Sequence, residues 1–242
     1  MKKKVVVFSG AGLSAESGIA TFRGSDGLWE NHRIEDVASP EGWTRNPKLV
    51  LDFYNRRLEK VKQVQPNAGH IALAELQEKF DVVHITQNID NLLERAGNQT
   101  VWHLHGRIDR QKCERHYDIF GFRDSYFSCD FKSEISKPVQ WGDRCPKCDA
   151  QLRPDIVWFG ESVDMRGDYL ENLIDTASIF IGIGTSAQVY PAAGLLMLFE
   201  QTEQKFFIDP NPAYEVLHGF EVIPSTATAA LPKLVQTLSQ TT

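Results

Sequence analysis

A chain that starts Val5-Val-Val-Phe-Ser-Gly-Ala-Gly12 is constrained from its first turn. Three valines and a phenylalanine form a short apolar run, read as a buried strand. Gly10 and Gly12 follow at once, and Ala15 completes a G-x-G-x-x-A pattern at the start of a helix. Glycine has no Cβ, so the backbone turns sharply and approaches a pyrophosphate, while N–H groups at the helix start face the anion. Strand, glycine turn and helix start in that order predict a dinucleotide site. A tight βα turn without ligand has the same pattern. A dehydrogenase would reach a second strand ending in Asp or Glu roughly 20 residues on. Here the chain enters Gly18-Ile-Ala-Thr-Phe-Arg-Gly-Ser-Asp-Gly-Leu-Trp29, with Phe22, Arg23 and Trp29 at its heart. An aromatic excludes water and an Arg meets phosphate or ribose, so this loop is read as a lid over the cofactor. A surface loop with a buried Phe anchor is the alternative.

With 242 residues there is room for one large domain with an insertion, or two small ones. A net charge of −6 argues against nucleic acid or an anionic membrane as the primary partner. No apolar run approaches the roughly 18 residues of a membrane span. The apolar run after Met1-Lys-Lys-Lys4 is too short for a signal peptide. A cytoplasmic location is expected, where four cysteines are reduced or metal-bound rather than paired. The chain is also expected to act as a monomer.

Further along, Leu49, Val50, Phe53, Leu58 and Val61 have roughly helical spacing. Tyr54 and Arg57, three apart, share a face of that helix. A second helix opens at Pro66-Asn67. Val82–Thr86 reads as a strand ending in Gln87-Asn88-Ile89-Asp90, a polar cluster where open α/β sheets bind ligands. Asp90 could equally cap the next helix. Val101–Gly106 reads as a further strand, with His103 and His105 on one side of the sheet. His105, beside the break at Gly106, is the best candidate among seven histidines for chemistry.

Residues 106–152 hold all four cysteines. Cys145-Pro-Lys-Cys148 is a knuckle that lets two thiolates bind one metal ion, and Cys113-Glu-Arg-His116 has the same gap. Two ligand sets follow: Cys113, Cys145 and Cys148 with either His116 or Cys129. Four protein ligands leave no open position, so a zinc there is structural. Beyond it, Ile179–Ser186 repeats strand, glycine and hydroxyl, so Gly184, Thr185 and Ser186 could line a phosphate or ribose. Phe206-Phe-Ile-Asp209 is a strand whose terminal carboxylate could accept from a ribose diol. Pro191 precedes a helix over 192–200, and helical residues 231–238 close the chain. The expected architecture is α/β: a Rossmann-like parallel sheet with helices on both faces (1–25, 63–105 and 153–242). A helical cap (26–62) and a zinc-binding module (106–152) interrupt it.

Gly10-Ala-Gly12 with Ser14, Phe22-Arg23, Thr86–Asp90, His105-Gly106, the cysteine module, Val157-Trp-Phe-Gly-Glu161 and Gly184-Thr-Ser186 together resemble the sirtuins. They stand in sirtuin order over nearly the whole length. Tyr54-x-x-Arg57 and Asp26-Gly-Leu-Trp29 are similar to the class III bacterial branch. The resemblance implies an NAD-dependent protein-lysine deacylase, a deacetylase and desuccinylase. It moves the acyl group to ADP-ribose and yields nicotinamide, free lysine and O-acyl-ADP-ribose. It implies that Asn88 and Asp90 place the ribose and the nicotinamide amide, and that His105 is the general base at an ordinary imidazole pKa. Gly10, Ala11, Gly12, Ser14, Ala15, Phe22, Arg23, Gln87, Ile89, Gly184, Thr185 and Ser186 belong to the NAD site by the same resemblance. Asp209, Pro210, Asn211 and Ala227 hold its adenosine end. Val157, Trp158, Phe159 and Gly160 pair with the acylated lysine peptide as an added strand. Tyr54 and Arg57 meet a dicarboxylic acyl group such as succinyl. Three departures stand out: Ala20 for the family's proline, Asp209 where many members have Asn, and His116 for a cysteine. A mono-ADP-ribosyltransferase, a non-catalytic NAD or ADP-ribose sensor, and a zinc-ribbon nucleic-acid binder are the rival readings.

Overall fold

The computed structural model describes residues 2–20, 28–115, 128–185 and 194–240. Phe22, Arg23, His116, Ser186 and the start of the helix expected after Pro191 lie outside the described residues. The chain begins with β1 (Lys4–Ser9) and α1 (Gly12–Ala15). A small hairpin, β2 (Leu28–Trp29) and β3 (His32–Arg33), leads to α2 (Ile34–Val37), α3 (Pro40–Arg45) and α4 (Pro47–Gln63). Then come α5 (Ala68–Leu76), β4 (Asp81–Thr86), α6 (Leu92–Arg95) and β5 (Val101–His103). β6 (Gly106–Cys113), β7 (Lys132–Glu134) and β8 (Leu152–Ile156) form an antiparallel sheet in the order β7-β6-β8. The chain closes with α7 (Gly167–Thr176), β9 (Ala177–Ile183), α8 (Leu195–Leu198), β10 (Gln204–Ile208), β11 (Glu221–Ile223) and α9 (Ala227–Gln240).

The main sheet is parallel throughout, in the order β11-β10-β9-β1-β4-β5. From β1 the chain walks one way through β4 and β5. It then returns to the other flank for β9, β10 and β11. That reversal puts a switch point between β1 and β9, where the turns at the carboxyl ends splay apart. The alternation of β1 shows how the sheet is held. Val5 and Val7 face the layer of α5 and α9, packing with Leu73, Leu76, Leu231 and Leu234. Val6 and Phe8 face the opposite layer, with Leu170, Leu173, Leu196 and Phe199. β1 is apolar on both faces because helices cover both.

A third core joins α3 and α4 to the small sheet through Trp43, Val50, Phe53, Leu58, Ile108, Leu152 and Trp158. Caps set where these helices begin. Ser39 Oγ accepts from Gly42 N–H at 2.9 Å, Asn46 Oδ1 accepts from Leu49 N–H at 3.1 Å, and proline follows each cap. Among the described residues no helix is long and apolar enough to cross a membrane.

Two sequence expectations change here. The strand over Val101–Gly106 stops at His103, so the period-two argument does not reach His105. Residues 152–156, at the start of the stretch 153–242 expected to belong to the Rossmann-like part, form a strand that pairs antiparallel with β6 in the small sheet. Gly106, at φ +77, lets β6 start against β8: a Cβ there would lie 1.9 Å from the Asp155 carbonyl oxygen.

Candidate active site

A cavity of about 460 Å³ opens at the carboxyl ends of β1 and β4. Its floor holds Gly10, Ala11, Gly12, Gln87, Asn88, Ile89, Asp90, Gly184 and Thr185. His105 and Val157–Gly160 form one wall, and Tyr54 and Arg57 reach in from α4. These sequence candidates, scattered over 176 positions, therefore meet in one place. Ser14 is fully buried beneath the floor rather than on it. Ala15, Asp209, Pro210, Asn211 and Ala227 are also off the cavity wall. The last four lie just beyond β10 and at the start of α9, where Asp209 Oδ1 accepts from Asn211 N–H at 2.8 Å. Ile19, Ala20 and Trp29, from the stretch read as a lid, line the cavity, as do Ala38 and Val61, which had no site role from sequence. Their only signal was apolar spacing or loop position, which core residues share.

The glycines serve a purpose the sequence argument did not give them. Gly10 N–H donates to Ile183 O, and Gly12 N–H to Gly184 O, each at 2.9 Å. A Cβ on Gly12 would stand 2.5 Å from Gly184 Cα, and one on Gly10 would stand 2.7 Å from Gly184 O. These two N–H groups thus close the β1 turn onto the β9 turn instead of facing an anion. Gln87 Nε2 ties the same floor together by donating to Thr185 Oγ1 at 3.0 Å.

Ser14 is the junction beneath. Asn67 N–H donates to His70 Nδ1 at 3.3 Å in a reciprocal cap of α5. The His70 proton is therefore on Nε2, which faces Ser14 Oγ at 3.4 Å. Asn88 Nδ2 also donates to Ser14 Oγ, at 3.3 Å. The Ser14 hydroxyl is left to donate to Asp90. Asp90 also accepts from Leu92 N–H at 3.1 Å, so it caps the start of α6 as well as facing the cavity. Burial raises its carboxyl pKa against both of those hydrogen bonds.

His105 Nδ1 meets the Gln87 carbonyl at 3.0 Å. A carbonyl only accepts, so Nδ1 carries the proton and the Nε2 lone pair is the basic one. Burial lowers the imidazole pKa, with the Gln87 bond opposing. The expectation of an ordinary value is therefore corrected downward. His103 faces away from this chemistry, between the Asn88 carbonyl and Glu94, at 2.8 Å from each.

In the acyl-side wall, Trp158 Nε1 donates to the Tyr54 hydroxyl at 3.1 Å. Burial pushes the Tyr54 phenol up, so it stays neutral with its own proton to give. Arg153 stacks on Trp158 at 3.9 Å and pairs with Glu161, fixing the loop that carries Val157–Gly160. That loop has already committed three N–H groups: Val157 to His105 O, Phe159 to Ala38 O, and Trp158 to Glu161 Oε2.

The cysteine sulfurs of 113, 129, 145 and 148 all lie within 4.8 Å of one another, and all four cysteines are free. Cys113 and Cys148 are 3.4 Å apart, Cys129 and Cys145 3.6 Å. A tetrahedral Zn²⁺ with sulfurs at about 2.3 Å sets neighbours about 3.8 Å apart, so the four fit a zinc. Cys129 thus completes the set that sequence left open. A closed set of four protein ligands makes the zinc structural.

The switch-point cavity, the doubly wound sheet and the cysteine-held module define a class: an α/β protein with a nucleotide-sized pocket roofed by a second core. The chain belongs to the Sir2 family, whose description matches residues 10–191. It is 43% identical over 242 residues to an NAD-dependent protein deacylase of Helicobacter pylori, covering 98% of this chain and 100% of that protein. It superposes on a Sir2 homolog–NAD complex with a TM-score of 0.83 and 35% identity, over 99% of this chain and 91% of that one. A Sir2 complex with a p53 peptide and NAD+ matches at a TM-score of 0.75 and 25% identity, over 99% and 95%.

Proposed function

We propose that this chain is an NAD-dependent protein-lysine deacylase that removes both acetyl and succinyl groups. One observation carries the reading: His105, Asn88, Asp90 and the glycine floor share a single cavity with Tyr54 and Arg57. The cavity size and donor set fit a nucleotide's ribose and amide. NAD supplies a ribosyl carbon whose nicotinamide is a ready leaving group.

The chain's residues do the rest. Asn88 and Asp90, held by Ser14, orient the ribose and the nicotinamide amide. His105 Nε2 takes a proton from a ribose hydroxyl, because its neutral form persists in the buried site. One water is consumed, and the products are nicotinamide, free lysine and O-acyl-ADP-ribose. Asp209, Asn211 and Ala227 are assigned to the adenosine end. Phe22, Arg23 and Ser186 keep their assignment from sequence. Val157–Gly160 guide the acylated peptide, chiefly through carbonyls because the N–H groups of Val157, Trp158 and Phe159 are engaged. Segment 26–62 is the helical cap that brings Tyr54 and Arg57 to the acyl end, 106–152 is the zinc module, and 1–25, 63–105 and 153–242 form the NAD-binding domain. Four unpaired thiols gathered for a metal suit the reducing cytoplasm.

Succinyl is included because Arg57 and Tyr54 present a cation and a phenol proton at the cavity, the donors a terminal carboxylate needs. Incubation with NAD and acetyl- or succinyl-lysine peptide, followed by nicotinamide, tests the reading. Release with both substrates is expected. Arg57→Met should lower desuccinylation at least about tenfold more than deacetylation, the loss of a charge-assisted bond. Equal losses would make the pair merely structural.

A further inference from the structure

We propose that Glu30 sets acyl selectivity by occupying Arg57 with a carboxylate of the chain's own. The inference rests on the reading of Tyr54 and Arg57 as the receptor for an acidic acyl end. Arg57 is only 6% exposed, stacked on the Trp29 ring at 4.3 Å with Phe53 at 5.8 Å. A cation that buried requires a counter-charge. Glu30 provides it: its Oε1 lies 2.7 Å from Arg57 Nη1.

The pairing is incomplete. Among the described residues Arg57 Nε has no hydrogen-bond partner, and Nη1 meets Glu30 as an ion pair without a well-directed hydrogen bond. A planar guanidinium in this state retains donors for a second carboxylate.

Glu30 sits at the tip of the β2–β3 hairpin. Glu30 and Asn31 have φ of 48° and 65°, a two-residue turn that normally calls for Asn or Gly. A glutamate in this left-handed conformation is disfavoured. The carboxylate that reaches Arg57 comes from that disfavoured position, and its side chain remains 29% exposed, with room to swing away. An acetyl group carries no charge and leaves the pair undisturbed. A dicarboxylic acyl group brings a second negative charge beside Glu30 and must share or displace it. Glu30 thus handicaps acidic acyl chains and keeps the pocket open to uncharged ones.

Steady-state kinetics at saturating NAD, with acetyl- and succinyl-lysine forms of one peptide, test this. In Glu30→Gln the succinyl-to-acetyl ratio of kcat/KM should rise about tenfold, mainly through a lower succinyl KM, as the like charge is removed. Glu30→Gly, which suits the left-handed backbone, should give the same shift, so a folding defect in one variant does not hide the result. An unchanged or lowered ratio in a folded variant overturns the proposal; a lowered one would mean that Glu30 orients Arg57. Arg57→Met separates the two levels. If it spares desuccinylation, the acyl-receptor reading fails. If it abolishes desuccinylation selectively while the Glu30 variants leave the ratio unmoved, only the role of Glu30 fails.

Discussion

His105 is tied to the sheet through Nδ1 alone, and that tie decides its chemistry. Because the Gln87 carbonyl fixes the tautomer, and burial lowers the pKa, the basic form persists below the ordinary imidazole value. The acid limb of kcat/KM should therefore fall below pH 6.5, about where free imidazole titrates, and a limb at or above that value would contradict the assignment. His105→Ala should lower turnover by about 10²–10⁴ while NAD binding, followed by calorimetry, is retained. Ser14 acts through others. Ser14→Ala would strand donors from His70 and Asn88 and release Asp90, costing about 1–3 kcal/mol in denaturant melts. It should also lower kcat more than it raises KM for NAD. His105 stood out in the sequence beside Gly106, but β5 ends at His103 and Gly106 opens β6, so the local pattern drew attention to the position without describing its backbone. Glu30 did not stand out, because Glu-Asn is an unusual pair for a two-residue turn and its partner lies 27 positions away.

At the level of elements, the glycine turn was readable but its reason was not. Sequence pointed to room for a pyrophosphate, whereas the turns after β1 and β9 in fact press backbone on backbone. That contact links residues some 170 positions apart, beyond the reach of any local pattern. Gly12→Ala should accordingly destabilise the fold by about 1–3 kcal/mol, seen as a lower denaturant midpoint without ligand. A midpoint unchanged in the absence of ligand would restore the phosphate-approach reading. The parallel sheet and its covering helices were legible because apolar runs and helical spacing alternate along the chain. β8, Leu-Arg-Pro-Asp-Ile, escaped because a short strand does not declare which sheet it joins. Cys129 stayed one of two alternatives because it lacks a Cys-x-x-Cys partner in sequence, though its sulfur lies 3.6 Å from that of Cys145.

Across the whole molecule, Cys113, Cys129 and Cys145 belong to the same core as Phe53, Tyr54 and Trp158, so loss of the metal should be felt in the fold. Cys145→Ser, or chelation, should remove the zinc in metal analysis and lower the melting temperature. Stability should also fall with acid. Burial lowers the pKa of His70 and His84 to about 4 each. Between that value and the unfolded imidazole range near 6.5 the unfolded chain binds more protons than the native one. Their contribution is therefore complete above about pH 6.5 and is lost as pH falls toward 4. Urea melts from pH 7 to 4.5 should show this loss, and His84→Gln should flatten it. The central claim is that one cavity couples a nucleotide's ribose to His105 beside an acylated lysine. Its most direct test counts nicotinamide against deacylated peptide in the same reaction. Equal amounts from the wild-type chain, and neither product from His105→Ala, are predicted. Deacylation without NAD, or undiminished turnover in His105→Ala, would contradict it.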